Sequence, residues 1–136
     1  MRHTISILVE NEFGVLARIS GLFSGRGFNI ESLTVAETLD PRVSRITLVT
    51  RGDDQVVAQI NKQLNKLVSV IEVHDFNEVS HVERELALIK VNADTQTRAE
   101  VMHIVDIFRG NVIDVSPQSY LIEVTGTEDK IAALLE

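Results

Sequence analysis

Thr4-Ile5-Ser6-Ile7-Leu8-Val9-Glu10-Asn11-Glu12-Phe13-Gly14-Val15-Leu16-Ala17-Arg18-Ile19-Ser20-Gly21-Leu22-Phe23 changes its hydrophobic period half-way along. Up to Val9 the apolar Ile5, Ile7 and Val9 alternate with Thr4 and Ser6, which is the spacing of a half-buried strand. Asn11-Glu12-Phe13-Gly14 breaks that alternation, and Val15, Leu16, Ile19, Leu22 and Phe23 then recur at helical spacing on one stripe. Gly25 and Gly27 supply the helix stop.

Working outward, Ile30 to Leu39 and Val43 to Thr50 are rich in Thr, Val, Ile and Leu around an Asp40-Pro41 turn, and read as an antiparallel hairpin. Gly52-Asp53-Asp54 offers caps to a second helix carrying Val56, Val57, Ile60, Leu64 and Leu67, and Val68 to Phe76 is a fourth strand. The order β-α-β-β-α-β implies a four-stranded antiparallel sheet with both helices on one face and the other face bare. Polar Asn77 to Glu85 reads as a connector, after which the order restarts. Leu86 to Val91 is strand-like, and Thr97 with Glu100 has capping-box spacing ahead of Val101, Ile104, Val105 and Phe108. Gly110 closes that helix. Val112 to Val115 and Tyr120 to Thr125 form a hairpin about Ser116-Pro117-Gln118-Ser119, and Thr127 caps a helix running to Glu136. Phe23-Ser24-Gly25-Arg26-Gly27 is echoed by Phe108-Arg109-Gly110, so the fold class expected is α+β with two tandem ferredoxin-like units, residues 1–76 and 77–136. The second lacks its last strand: it stands without that edge, borrows one from a neighbour, or has been trimmed.

Leu, Ile, Val and Phe supply 49 of the 136 residues, enough for a core. A unit of ~60 residues is marginal by itself, and units of that kind often associate. The net charge of −7 argues against nucleic acid as the main partner. The RNA-binding version of this strand order displays aromatics on its central strands, where this chain has Ile5, Ile7, Val9, Ile46 and Leu48. The absence of cysteine removes disulfides, thiolate nucleophiles and Cys-type metal sites. The opening residues lack the apolar core of a signal peptide and no apolar run approaches a membrane span, so a cytoplasmic protein is expected.

Catalytic patterns are missing. There is no GxxxxGK[ST], and Gly21, Gly25 and Gly27 lie at the end of a helix where a dinucleotide fingerprint needs its start. His3, His74, His81 and His103 are scattered without metal-ligand spacing and read as surface or half-buried histidines. Asp53, Asp54, Asp75, Glu83, Glu85, Glu128 and Asp129 lie where caps and solvated faces put them. No catalytic residue and no metal site is expected.

The run Glu10 to Ile19, with Gly21-Leu22-Phe23-Ser24-Gly25-Arg26-Gly27-Phe28-Asn29-Ile30-Glu31-Ser32-Leu33-Thr34-Val35, resembles the regulatory small subunits of acetolactate synthase, also called acetohydroxyacid synthase. The likeness continues through Asp40-Pro41, Ser44-Arg45, Gln63 to Val68, His81 to Leu86 and Phe108 to Val115, covering essentially the whole chain. The resemblance implies an ACT domain at residues 1–76, followed by the family's smaller C-terminal domain. It further implies a non-catalytic chain that pairs through its ACT domains, joins and activates a catalytic large subunit, and confers feedback inhibition by valine in branched-chain amino-acid biosynthesis. Thiamine diphosphate, magnesium and FAD would then belong to the catalytic subunit. Valine would lie between two ACT domains, at Asn11, Gly14, Val15, Leu16 and Ala17 of one copy and Asn29 and Ile30 of the other. The residue types suit this: Gly14 allows close backbone approach, helix-start N–H groups suit a carboxylate, Asn both donates and accepts, and Val15, Leu16 and Ile30 are apolar. Asn11 and Gly14 taken without the surrounding match would equally form a plain turn and cap. Ala17 departs from relatives with a hydroxyl there, a loss worth about a factor of ten in affinity at ~1 kcal/mol per net hydrogen bond. The alternative reading is a free-standing ACT-type amino-acid sensor regulating another protein.

Overall fold

A computed structural model describes residues 2–77 and 79–135. Contacts divide the chain into two compact units, residues 1–81 and 82–136. The first contains β1 (Arg2–Glu10), α1 (Val15–Gly25), β2 (Ile30–Glu37), β3 (Val43–Arg51), α2 (Asp54–Asn65) and β4 (Val70–Asp75). All its strand pairs are antiparallel, in the order β2-β3-β1-β4.

The alternation in β1 is what builds this core. Ile5, Ile7 and Val9 are buried, level with Ile46 and Leu48 of β3. Against them pack Val15, Ile19 and Phe23 of α1 and Val57, Ile60 and Leu64 of α2. Eleven such buried side chains, each worth ~1.5–3 kcal/mol, hold both helices on one face of the sheet. The opposite face carries Thr4, Ser6, Leu8, Thr47 and Val49, as expected of a bare face, and there the Arg45 guanidinium donates to Ser6 Oγ.

Helix α1 ends in a Schellman motif: Gly27, at φ +78°, donates its N–H to Ser24 O, and Phe28 N–H donates to Phe23 O. Helix α2 begins where expected, with Asp53 accepting from Gln55 N–H at 2.8 Å. Two strands are shorter than the sequence suggests. β2 stops at Glu37, because Thr38 Oγ1 and Asp40 begin the turn to β3. β4 starts at Val70, because Leu67 to Ser69 make the turn leaving α2.

The second unit comprises β5 (Glu85–Asn92), α3 (Arg98–Ile107), β6 (Asn111–Val115), β7 (Ser119–Gly126) and α4 (Glu128–Leu135), with sheet order β5-β7-β6. Among the described residues no sixth element follows, and β5 forms one edge. Its core is smaller, with Ala93, Val105, Tyr120 and Ile122 at the centre. Two local expectations fail here. Thr97 does not cap α3 with its side chain. Asp94 does that work, its Oδ1 accepting from Gln96 N–H, Thr97 N–H and Thr97 Oγ1. The turn closing α3 puts Arg109 at φ +55°, with Gly110 one residue later donating to Val105 O. Gly110 is small because β7 passes close by: a Cβ there would lie 3.1 Å from Glu123 O. In helix-end geometry Arg109 therefore matches Gly27, one residue out of step with the sequence echo. At the C-terminus Thr127 Oγ1 accepts from Lys130 N–H at 3.3 Å, and Glu136 lies outside the described residues.

Candidate effector site

The loop after β1 is fastened to the β2–β3 hairpin. Asn11 N–H donates to Arg42 O at 2.8 Å, and Asn11 Nδ2 donates to Pro41 O at 3.0 Å and Glu37 Oε1 at 3.1 Å. Both amide protons are thereby committed, and Asn11 Oδ1 is the atom left to accept from a ligand. Beside this loop the Arg42 guanidinium grips Asp40 at 3.0 and 3.1 Å, holding the Asp40 carboxyl below its ordinary value.

Gly14 is the N-cap of α1 at φ +80°, with open space where a Cβ would be. A glycine cap has no side chain to satisfy the first helical N–H groups, and α1 has no acidic residue in its first turn. The other three helices each carry at least one: Asp54 in α2, Glu100 in α3, and both Glu128 and Asp129 in α4. The start of α1 is therefore an electropositive helix end left without an anionic side chain.

Val15 is 4% exposed and its side chain belongs to the core, so toward solvent it offers backbone rather than an apolar wall. Leu16, at 40% exposure, and Ala17 do face outward.

Asn29 and Ile30 lie elsewhere. Thr50, fully buried, donates its hydroxyl to Asn29 O at 2.8 Å, and Ile30 pairs with Thr50. Phe28 folds over Gly52, where a Cβ would meet the ring at 1.6 Å. Thr50 also pairs with His3, so Ile30 is level with His3, seven residues back along β1 from Glu10. At ~3.3 Å per residue the two groups of candidate residues stand roughly 23 Å apart, at opposite ends of one sheet. Within a single chain they do not meet.

The sequence left one buried cluster unread. His3, 2% exposed, sits between two carboxylates, with Nε2 2.8 Å from Asp54 Oδ1 and Nδ1 3.0 Å from Asp75 Oδ2. Asn61 Nδ2 and Asn77 N–H also donate to Asp75. The cluster ties the start of β1 to the start of α2 and the end of β4. Its only trace in the sequence is that His3 shares the inward parity of Ile5 and Ile7.

The strand order, with both helices on one face of the sheet, is that of the ferredoxin-like folds. The family described as "AHAS small subunit-like ACT domain" matches residues 5–72, and that described as "Small subunit of acetolactate synthase" matches residues 84–136. A probable acetolactate synthase small subunit of Archaeoglobus fulgidus is 54% identical over 136 residues, all of this chain and 85% of its own length. The isozyme 3 small subunit of Escherichia coli is 51% identical, over 99% of this chain and 83% of its own. The crystal structure of the Thermotoga maritima small subunit superposes with a TM-score of 0.90 at 43% identity, covering 99% of this chain and 84% of that one. The chain belongs to the acetolactate synthase small-subunit family. Among the described residues no helix is long and apolar enough to cross a membrane.

Proposed function

We propose that this chain is a cytoplasmic regulatory subunit that joins and activates a catalytic acetolactate synthase subunit, and that restrains it when valine is taken up at the seam between two ACT domains. The observation carrying this reading is the start of α1, bare of acids behind a left-handed Gly14. It suits the carboxylate of an amino acid, while Asn11 Oδ1 suits its ammonium. The distance between the two half-sites is why two copies are needed. Edge strand β2 offers the contact: Leu33 and Val35 lie on its helix-side face at 41% and 42% exposure. A twofold axis through Thr34 sets Leu33 opposite Val35 of the second copy, and antiparallel pairing carries the start of one β2 toward the end of the other, where Asn11 is fastened. Valine then favours one seam geometry over another, and only that difference in affinity moves the attached enzyme.

Thiamine diphosphate, magnesium and FAD belong in this reading to the catalytic subunit, whose chemistry they supply. Calorimetric titration of the purified chain with valine, and with lysine as control, is the direct test. Heat of binding for valine alone is the expected result, and its absence at millimolar ligand would overturn the reading.

A further inference from the structure

In the second unit the first turns of α3, the edge strand β6 and the start of β7 border a hollow of about 650 Å³. That lies within the ~300–1,000 Å³ usual for small-molecule sites. Its walls are apolar: Ala99 and Met102 from α3, Val112 and Val115 from β6, and the ring of Tyr120. Met102 and Val115 are 37% and 58% exposed, so these walls open to solvent and are not filled by the unit's own core. Among the described residues lining the hollow, Arg98 is the one charged side chain.

Arg98 is poorly matched to its own surroundings. Its Nη2 donates to Pro117 O at 3.2 Å and its Cζ lies 5.6 Å from the centre of the Tyr120 ring, which hold the guanidinium at the hollow. Its Nε is shut off from solvent and donates to nothing among the described residues. An unmet donor on a charged group is unfavourable. Among those residues no acid forms an ion pair with Arg98. Asp94, one turn earlier, commits its Oδ1 to Gln96 N–H, Thr97 N–H and the Thr97 hydroxyl. Arg98 is also the first residue of the ten-residue helix α3, the positive end, where a cation is disfavoured and an anion favoured. A carboxylate received there meets both mismatches. It accepts from Nε and a second guanidinium nitrogen in parallel once that edge turns outward, and it complements the helix end. The lining has no acidic group to hold an ammonium, so an amino acid fits poorly.

We propose that this hollow binds a small aliphatic carboxylate lacking an ammonium group, with Arg98 receiving the carboxylate and Met102, Val112 and Val115 the chain. The inference does not depend on the regulatory reading above. Tyr120 is the single tyrosine and the chain has no tryptophan, so tyrosine emission reports this hollow alone. The test titrates the full chain with isocaproate while following tyrosine emission and amide chemical shifts. A saturable change is expected, with shifts centred on Arg98, Val112 and Tyr120. Isohexanol, with the same chain and no charge, should bind at least about tenfold more weakly, and isohexylamine not at all. Arg98→Gln should weaken isocaproate at least about tenfold, and Arg98→Lys should recover part of that, since lysine supplies charge without the fork. Val115→Glu, an exposed change that leaves Arg98 in place, should weaken it through repulsion and guards against misfolding of the Arg98 variants. No saturable change with isocaproate overturns the proposal, as does equal binding of isohexanol, or unaltered affinity in both Arg98→Gln and Val115→Glu. Valine competing with isocaproate at Tyr120 overturns it too, by placing an ammonium in this hollow. Valine acting only on amides near Gly14 bears on the regulatory reading alone, so either reading can fail without the other.

Discussion

Gly14 stands at φ +80° with nothing within 4 Å of where a Cβ would be, so a substitution there is resisted by the backbone rather than by crowding. The left-handed conformation costs a non-glycine residue ~1–2 kcal/mol, which the core of the first unit can absorb. Gly14→Asp should therefore fold, and set a negative charge at the uncapped helix start proposed above to receive the effector carboxylate. In a reconstituted synthase this variant is expected to abolish valine inhibition while activation persists, and retained inhibition would refute the placement. Ala17 faces outward in the first turn of α1. Ala17→Ser restores a hydroxyl and should tighten valine uptake about tenfold by calorimetry, at ~1 kcal/mol per net hydrogen bond. Val15 is where residue-level reading overreached. Its membership of an apolar stripe was legible, but which stripe member turns to the core depends on how the helix rotates against β1 and β3.

At the scale of elements, α3 takes its N-terminal hydrogen bonds from Asp94. Backbone N–H groups of Thr97 and Gln96, with the Thr97 hydroxyl, hold the Asp94 carboxyl below its ordinary value of 3.8. A lowered carboxyl adds stability that is fully present above its ordinary value and fades as pH falls through the depressed one. Asn at this position caps without titrating. The melting temperature of the natural chain should therefore exceed that of Asp94→Asn at neutral pH, and the gap should shrink as the solution is acidified below the carboxylate range. A gap constant with pH would place the stabilising charge elsewhere. The strands and helices themselves were readable from period two and period three-to-four spacing, because burial on one face imposes those periods. Caps were harder, since Asp94 and Thr97 both satisfy the local chemistry and only the backbone path chooses between them. His3 reads as surface or half-buried because its carboxylate partners are distant in sequence: Asp75 meets it only when β1 lies beside β4, and Asp54 only when the start of α2 packs against β1.

For the whole molecule, self-association is the property most open to test. Leu33 lies on the helix-side face of an edge strand whose outer hydrogen-bonding groups are free for another chain. A lysine on such an edge discourages pairing by burying charge at the seam. Leu33→Lys is expected to shift the sedimenting species from dimer to monomer and to abolish valine uptake with it, whereas uptake by a monomeric variant would contradict a shared pocket. The separation of roughly 23 Å along β1 between the level of Ile30 and the end that leads into the Gly14 loop also has a genetic corollary. In the proposed pair each pocket would draw one wall from each chain, so two alleles, one damaged only at the Gly14 loop and the other only at Asn29, should each be insensitive alone. Co-expressed in one cell they form mixed pairs in which one pocket inherits both defects and the other inherits neither, and feedback control partly returns by complementation.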